Sequence, residues 1–599
     1  MSQKKSPAKI KAPDITESRQ FFMRLFDYAA TVYFALTVVV LPLFMWREKY
    51  TAITAAKSKF FSTTSVIMLV TSIALIACML MYATAEDALS GKRKKVPFRQ
   101  KIKDDPMILA DISILAYWGM MFISCVISDD PHTAFYGLEP RDNGFLYQTL
   151  YVAAYFIISR CMKPTRWKAM LFVWGGTLLA VATILHYFGC DIYDVVHYAT
   201  ENSSGEWVDK TLSSSYAGPF WNSTSYRFLG PVGNVNLGSY ILSAALVLAA
   251  GMFITNVQPV YYKWQDKRGI SLIVCFVILL YAELNINTDA GLVAIAAAVV
   301  AIPVVLCGSL ERLLRALIVF TSALGTTLLS CAIDSHLCGE GFGTTEKALL
   351  LLTLLCAAVT VAAFLLRGKE KVRQLATPKR LRIVLSSLVV LAVIGGLALS
   401  LVITQPDDTA AGALSGATVV LQRVDLREKS DTIIHELGQI LRGNLDDSFG
   451  HNRLFTWKRT LSLIKYNPIF GIGPDNFKSF FASYYKAEAV EMFPSSNGNL
   501  DKAHNEFLDV LICNGILGFA AYMMFFGALL YCCFRKADKT RWAPAFGVAV
   551  LSYMAHAFFG YQLPIQSPVM WMMIGSAAAY ARADGAPKPA INPQKKRRA

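Results

Sequence analysis

Four basic side chains in this 599-residue sequence stand where an anion or a hydroxyl could be handled: His504, Arg453, Arg227 and Arg141. An imidazole titrates near neutral pH and can take a proton from a hydroxyl, while a guanidinium fork can hold a phosphate or diphosphate bidentately. His504 heads the run Asp501-Lys502-Ala503-His504-Asn505-Glu506 and shares a helical face with Leu508 and Leu511 at i+4 and i+7. Two readings follow: a satisfied core histidine, or a general base where water meets the bilayer. Arg453 lies in HNRLFTWKRTLSLIKY, residues 451–466, whose spacing predicts an amphipathic helix with Asn452 as N-cap and Leu454, Trp457, Leu461 and Ile464 on its apolar side. Its polar side, Arg453, Thr456, Lys458, Arg459 and Lys465, either faces lipid headgroups or turns Arg453 inward onto a diphosphate. Arg227 opens the Gly/Pro-containing stretch that runs to Asn236 before an apolar span, and either snorkels to bulk lipid or binds one lipid phosphate. Arg141, between Gly137 and Gly144, joins the same set or pairs with Glu139 or Asp142.

The elements that must carry these residues are apolar. Hydrophobic residues make up 54% of the chain and charged ones 17%, and the net charge is +16; the mean hydropathy is +0.42. That excludes a soluble or disordered body, and bases set between long apolar runs point to a membrane rather than nucleic acid. Fourteen spans are predicted, at 28–46, 61–84, 107–127, 145–159, 169–187, 237–255, 270–284, 291–307, 316–333, 348–366, 383–403, 516–534, 543–559 and 568–580. With the N-terminus in the cytoplasm, 39 of the 58 Lys and Arg fall in cytoplasmic segments, and both basic tails lie on that side. Arg47, Lys49, Lys57 and Lys59 run against this in the first outside loop.

The expected organisation is a basic cytoplasmic tail at 1–27, a bundle of about eleven spans at 28–403, and a large extracytoplasmic loop at 404–515. About three further spans at 516–580 and a second basic tail at 581–599 complete it. The first 27 residues carry six bases without an h-region or cleavage site, so the first span reads as an anchor. None of the twelve cysteines forms a C-x-x-C pair, and only Cys190 and Cys338 are possible outside partners. The outside stretch 188–236 holds Trp207, Tyr216, Phe220, Trp221 and Tyr226, which suits sugar stacking or an interfacial aromatic belt equally. No internal repeat of fixed period is present.

In order along the chain, Arg453 with Trp457 gives R-x3-W, and Asn467-Pro468 through Gly471, Gly473 and Phe477 gives N-P-x-x-G-x-G-x-x-x-F. His504-Asn505 with Leu508 and then Asn514-Gly515-Ile516-Leu517-Gly518 follow. This series resembles the O-antigen ligase and Wzy-type O-antigen polymerase superfamily of polytopic lipid-linked glycan transferases, over roughly 107–580. Arg227 to Asn236 looks like its R-x-x-G-x-x-G-N-x-N element, and Gly137 to Gly144 like its G-x-x-x-R-x-x-G element.

The resemblance implies an all-α polytopic fold, similar to the GT-C class, in the cytoplasmic membrane of a bacterium. It also implies transfer of a glycan from an undecaprenyl-diphosphate carrier to an acceptor hydroxyl on the extracytoplasmic side, with no cofactor or metal. His504, Arg453 and Arg227 are then the catalytic residues, and Arg141, Trp457, Asn236, Asn505, Gly471 and Gly473 bind substrate. The partners are the lipid-linked donor, a glycan, lipid or protein acceptor, and membrane lipids, with no nucleic acid. One departure weakens the ligase assignment: where many members have an arginine opening a middle span, this chain has Asn287-Thr288-Asp289-Ala290. The charged insertion at 404–450 lies outside the matched series. Rival readings are a metal-dependent transferase using Asp129-Asp130, and a transporter or flippase of lipid-linked glycans using His556, Asp111 or Glu283 within spans.

Overall fold

An apolar segment in lipid must satisfy its backbone internally, and the computed structural model is accordingly built almost wholly of helices. It describes residues 15–46, 52–90, 105–139, 141–188, 197–201, 207–211, 231–256, 267–337, 342–370, 377, 380–381, 383–388, 390–391, 447–538, 540 and 542–585. In chain order the helices are α1 (Ile15–Ala35), α2 (Ile53–Ser90), α3 (Met107–Ile127), α4 (Pro131–Tyr136), α5 (Phe145–Cys161) and α6 (Arg166–Tyr187). After the strands β1 (His197–Glu201) and β2 (Trp207–Thr211) come α7 (Val235–Thr255), α8 (Lys267–Ile286), α9 (Asp289–Ala301), α10 (Leu310–Leu337) and α11 (Thr344–Leu366). The last five are α12 (Phe449–Leu463), α13 (Phe477–Met492), α14 (Glu506–Phe534), α15 (Ala543–Ala557) and α16 (Ser567–Gly585).

Among the described residues ten helices are long and apolar enough to cross a membrane, and the protein is a multi-pass membrane protein. The spans expected at 145–159, 543–559 and 568–580 correspond to α5, α15 and α16, which are not among those ten, and 383–403 lies largely outside the described residues. The fold of the described residues is helical as expected, apart from one short hairpin. β1 and β2 pair antiparallel, from His197 opposite Thr211 to Glu201 opposite Trp207, within the stretch read as an aromatic loop.

Small residues let the helices approach closely, which is how bundles associate where no hydrophobic effect separates helix from lipid. α7 runs through the centre, buried at every residue from Leu237 to Thr255 and packed between α6, α8 and α15. A methyl group on Gly176 of α6 would stand 2.4 Å from the Ala245 side chain of α7. Outward faces are apolar instead, as on α11, where Leu351 and Leu365 are among the most exposed leucines.

A second, smaller core stands on one end of this bundle. Phe455 and Leu463 of α12, Phe477 and Phe481 of α13, Ile472, Leu500 and Ala503 pack with Ile512 and Cys513 of α14. α12 keeps its expected place but differs in cap and in face. Ser448 occupies the N-cap, and Asn452 lies inside the first turn with φ +68°, donating from its amide to the Met492 carbonyl at 3.2 Å. The buried side is Phe455, Thr456, Thr460 and Leu463, while Leu461 is 53% exposed. Thr460 Oγ1 donates back to the Thr456 carbonyl at 2.7 Å, so a hydroxyl satisfied within its own helix buries like an apolar group. Lys458 and Arg459, expected to face lipid headgroups, reach Asp447 at 2.8 and 2.6 Å, and Arg459 also reaches Glu488 at 3.0 Å.

Candidate active site

The backbone that carries the site departs from helix at a few positions. α14 is broken at Gly515, φ +66°, and the turn after Asn467-Pro468 seats itself in the break. Ile472 N–H donates to the Ile512 carbonyl at 3.1 Å, Gly473 N–H to the Cys513 carbonyl at 2.9 Å, and Ile516 N–H to the Pro468 carbonyl at 2.9 Å. The contact is too close for side chains: a methyl on Gly471 would lie 2.4 Å from the Cys513 backbone, and one on Gly515 2.2 Å from the Ile469 carbonyl. Both glycines also have positive φ, a region that costs other residues of order 1–3 kcal/mol. α3 closes the turn from the other side, where Ser124 Oγ donates to the Cys513 carbonyl at 2.6 Å and accepts Gly473 N–H at 3.0 Å.

His504 is not on the helix where the spacing put it. Asn505 is the N-cap, its Oδ1 accepting Phe507 N–H at 3.0 Å and Leu508 N–H at 3.1 Å, so α14 begins at Glu506 and His504 sits in the preceding loop with φ +53°. Every residue of that loop is tethered. Asp501 pairs with Arg141 at 2.7 Å, and Lys502 pairs with Asp475. Ala503 donates its N–H to Asp509 Oδ1 at 2.8 Å and accepts Trp457 Nε1 at 3.0 Å. His504 Nδ1 lies 3.2 Å from the Lys502 carbonyl, a contact that assigns the proton to Nδ1 and leaves Nε2 as the free base.

Two of the expected cations, Arg141 and Arg453, lie near the imidazole. The Tyr561 ring stands edge-on to His504 at 5.0 Å, and Arg141 lies 5.8 Å over the same ring and 3.4 Å from its hydroxyl. Arg453 lies 5.7 Å over the Phe559 ring, and Trp457 one turn later packs on Phe558 and Phe559 at 5.3 and 5.9 Å. Burial depresses the His504 pKa below its ordinary value; Asp501 opposes the shift, and Arg453 and Arg141 reinforce it. Burial and the two nearby guanidiniums thus favour the neutral imidazole.

The other expected site residues fall as follows. Asn236 lies in the first turn of α7, its N–H donated to the N-cap Asn234 Oδ1 at 2.9 Å; one turn on, Tyr240 stacks on His556 at 3.7 Å. Asn505, Gly471 and Gly473 form the cap and the turn that shape the loop, and Trp457 tethers it. Arg227 lies outside the described residues, as do Cys190 and Cys338. Asp130 caps α4 by accepting Thr133 N–H at 3.1 Å. Among the described residues no group of three His, Cys, Asp or Glu could hold a metal ion. The Thr288 hydroxyl caps α9 and reaches Ser239 at 3.0 Å, and Ser239 in turn donates to the Glu283 carboxyl group.

Sequence reasoning missed Asp475, Asp501, Lys502, Phe559 and Tyr561. The dense alternation of aromatic residues with Gly560 between two helices was the only signal available for the last two. Beneath the loop, Lys502, Asp475, Asn143, Gln148, Glu506 and Asn514 line a cavity of about 40 Å³, room for roughly three waters rather than a sugar.

Residues 342–523 match a protein-family model described as O-antigen ligase, a stretch that includes Arg453, Trp457, the glycine turn and His504. That stretch is similar to the O-antigen ligase family. A comparison with curated proteins finds no match. The O-antigen ligase match covers a little under a third of the chain and ends within α14, so the wall carrying Phe559 and Tyr561 and the Arg141 loop lie beyond it. The match supports a membrane glycan ligase or polymerase family, whose partners are a lipid-linked glycan and an acceptor.

Proposed function

We propose that the protein transfers a glycan from undecaprenyl diphosphate to an acceptor hydroxyl on the extracytoplasmic side of a bacterial cytoplasmic membrane, without a metal ion. The observation that carries this reading is the convergence of the His504 imidazole with the Arg453 and Arg141 guanidiniums in one aromatic-walled site. Nε2 of His504 takes the proton of the acceptor hydroxyl as its oxygen attacks the anomeric carbon. The carbon–oxygen bond to the diphosphate breaks, and the diphosphate leaves with both electrons. Negative charge grows on that leaving group, and cations fixed in place beforehand stabilise it without reorganisation. Arg453 and Arg227 take that role, the latter on its sequence pattern alone, and Arg141 orients the donor. Attack opposite the leaving group inverts the anomeric centre. Both termini are cytoplasmic in this reading, on the strength of the Lys and Arg distribution.

The test is incubation of the purified protein with a defined polyprenyl-diphosphate oligosaccharide and candidate acceptors, followed by mass analysis. A new glycoside with release of polyprenyl diphosphate, surviving a strong chelator, is the expected result. Doubling of glycan length would indicate a polymerase and attachment to a foreign acceptor a ligase; movement of the intact donor across a vesicle membrane without a new glycoside would favour a flippase.

A further inference from the structure

Asp475 ties together three loops of the site. It follows the glycine turn with φ +62°, is 4% exposed, and accepts Leu138 N–H at 2.6 Å and Asn143 N–H at 3.3 Å from the loop that carries Arg141. Its second oxygen receives the Lys502 ammonium, itself 5% exposed, two residues before His504. Lys502 in turn presents its carbonyl to His504 Nδ1. A charge pair buried this deeply is weak support for stability, because desolvation offsets most of its attraction. Two residues held at left-handed backbone angles, one at the pair and one at the imidazole, persist only where their surroundings fix them, and such strain collects at working sites.

We propose that Asp475 and Lys502 form a positioning pair for the transfer reaction: they fix the tautomer and aim of the His504 imidazole and set the Arg141 loop opposite it. This rests on the reading of His504 as the general base. Neither residue touches the substrate. The pair acts on geometry at the reacting atoms, where a displacement of about 1 Å can cost about a hundredfold in rate.

The test uses the full chain in detergent with the polyprenyl-diphosphate oligosaccharide donor. Asp475→Asn keeps size and loses the charge, and should lower kcat by about a hundredfold while the donor KM stays within about threefold. Asp475→Asn leaves a buried ammonium unpaired and can fail to fold, so the neutral double variant Asp475→Asn with Lys502→Met is made beside it. That double variant should melt at the wild-type temperature yet remain slow. Full turnover in either variant, or a raised KM with kcat intact, would overturn the proposal, because a merely structural pair would lose nothing once both charges are gone. His504→Ala separates the two levels. If it turns over like wild type, or if wild type forms no glycoside, the base reading falls first; if His504→Ala is inactive while the Asp475 variants are normal, the positioning pair alone falls.

Discussion

The two ends of α3 each hold a buried charge cluster, and they use the same chemistry for different ends. Near its start, Asp111 receives Arg582 of α16 at 2.6 Å, with Arg160 of α5 and the Tyr155 hydroxyl at 2.9 Å on the same carboxylate. Near its other end, Ser124 and Ser128 hold the glycine turn that leads to Asp475, Lys502 and His504. The first cluster joins three regular helices, whereas the second is strung on loops whose backbone is left-handed at Asp142, Asp475 and His504. A carboxylate between arginines on helices fastens a bundle. The same groups on strained loops are where the proposed function places its working side chains. The charge in each cluster is similar; the backbone beneath it tells fastening from function.

That contrast can be broken by substitution. Arg453→Ala should cost the largest factor of the three considered next, about 10²–10³ in turnover, with weaker binding of the polyprenyl-diphosphate donor measured by titration. Unchanged binding would move Arg453 out of the diphosphate site. Arg582→Gln at the fastening end should do the reverse: the melting temperature falls by a few degrees, since Arg160 still holds Asp111, while kcat of the folded fraction stays within about twofold. A catalytic loss there without destabilisation would erase the distinction between the clusters. Arg141→Gln should have the smallest effect at neutral pH and a directional one in acid. Arg141 helps to hold the His504 pKa down and also pairs with Asp501, which pushes it up. Its removal acts through both, raising the imidazole pKa, so the acid limb of the pH–rate profile should shift to higher pH. A shift toward lower pH would contradict the assignment of that limb to His504.

Much of this was legible because it is local. Apolar length gave most of the helices, and Asn-Pro and the paired glycines punctuated the turn that proved to fill the break at Gly515. Arg453, Trp457 and His504 were singled out by type and spacing, and they meet in one site. What failed was local detail decided by tertiary contact. Asn505 competed for the cap and took His504 off the helix, and two threonines bonded back to their own helix turned the buried face of α12 away from Leu461. Asp475 and Tyr561 were invisible because their partners lie hundreds of residues away, at Leu138 and Arg141, and no period or spacing encodes that meeting. The β1–β2 hairpin was hidden by the same aromatic residues that suggested a loop.

The most direct measurement is donor binding and glycoside formation by His504→Ala, side by side with wild type, using the polyprenyl-diphosphate oligosaccharide. Binding within about threefold of wild type with transfer reduced by at least about 10³ is the result a general base at this position requires. Transfer at the wild-type rate would contradict it and leave the imidazole a structural part of its loop.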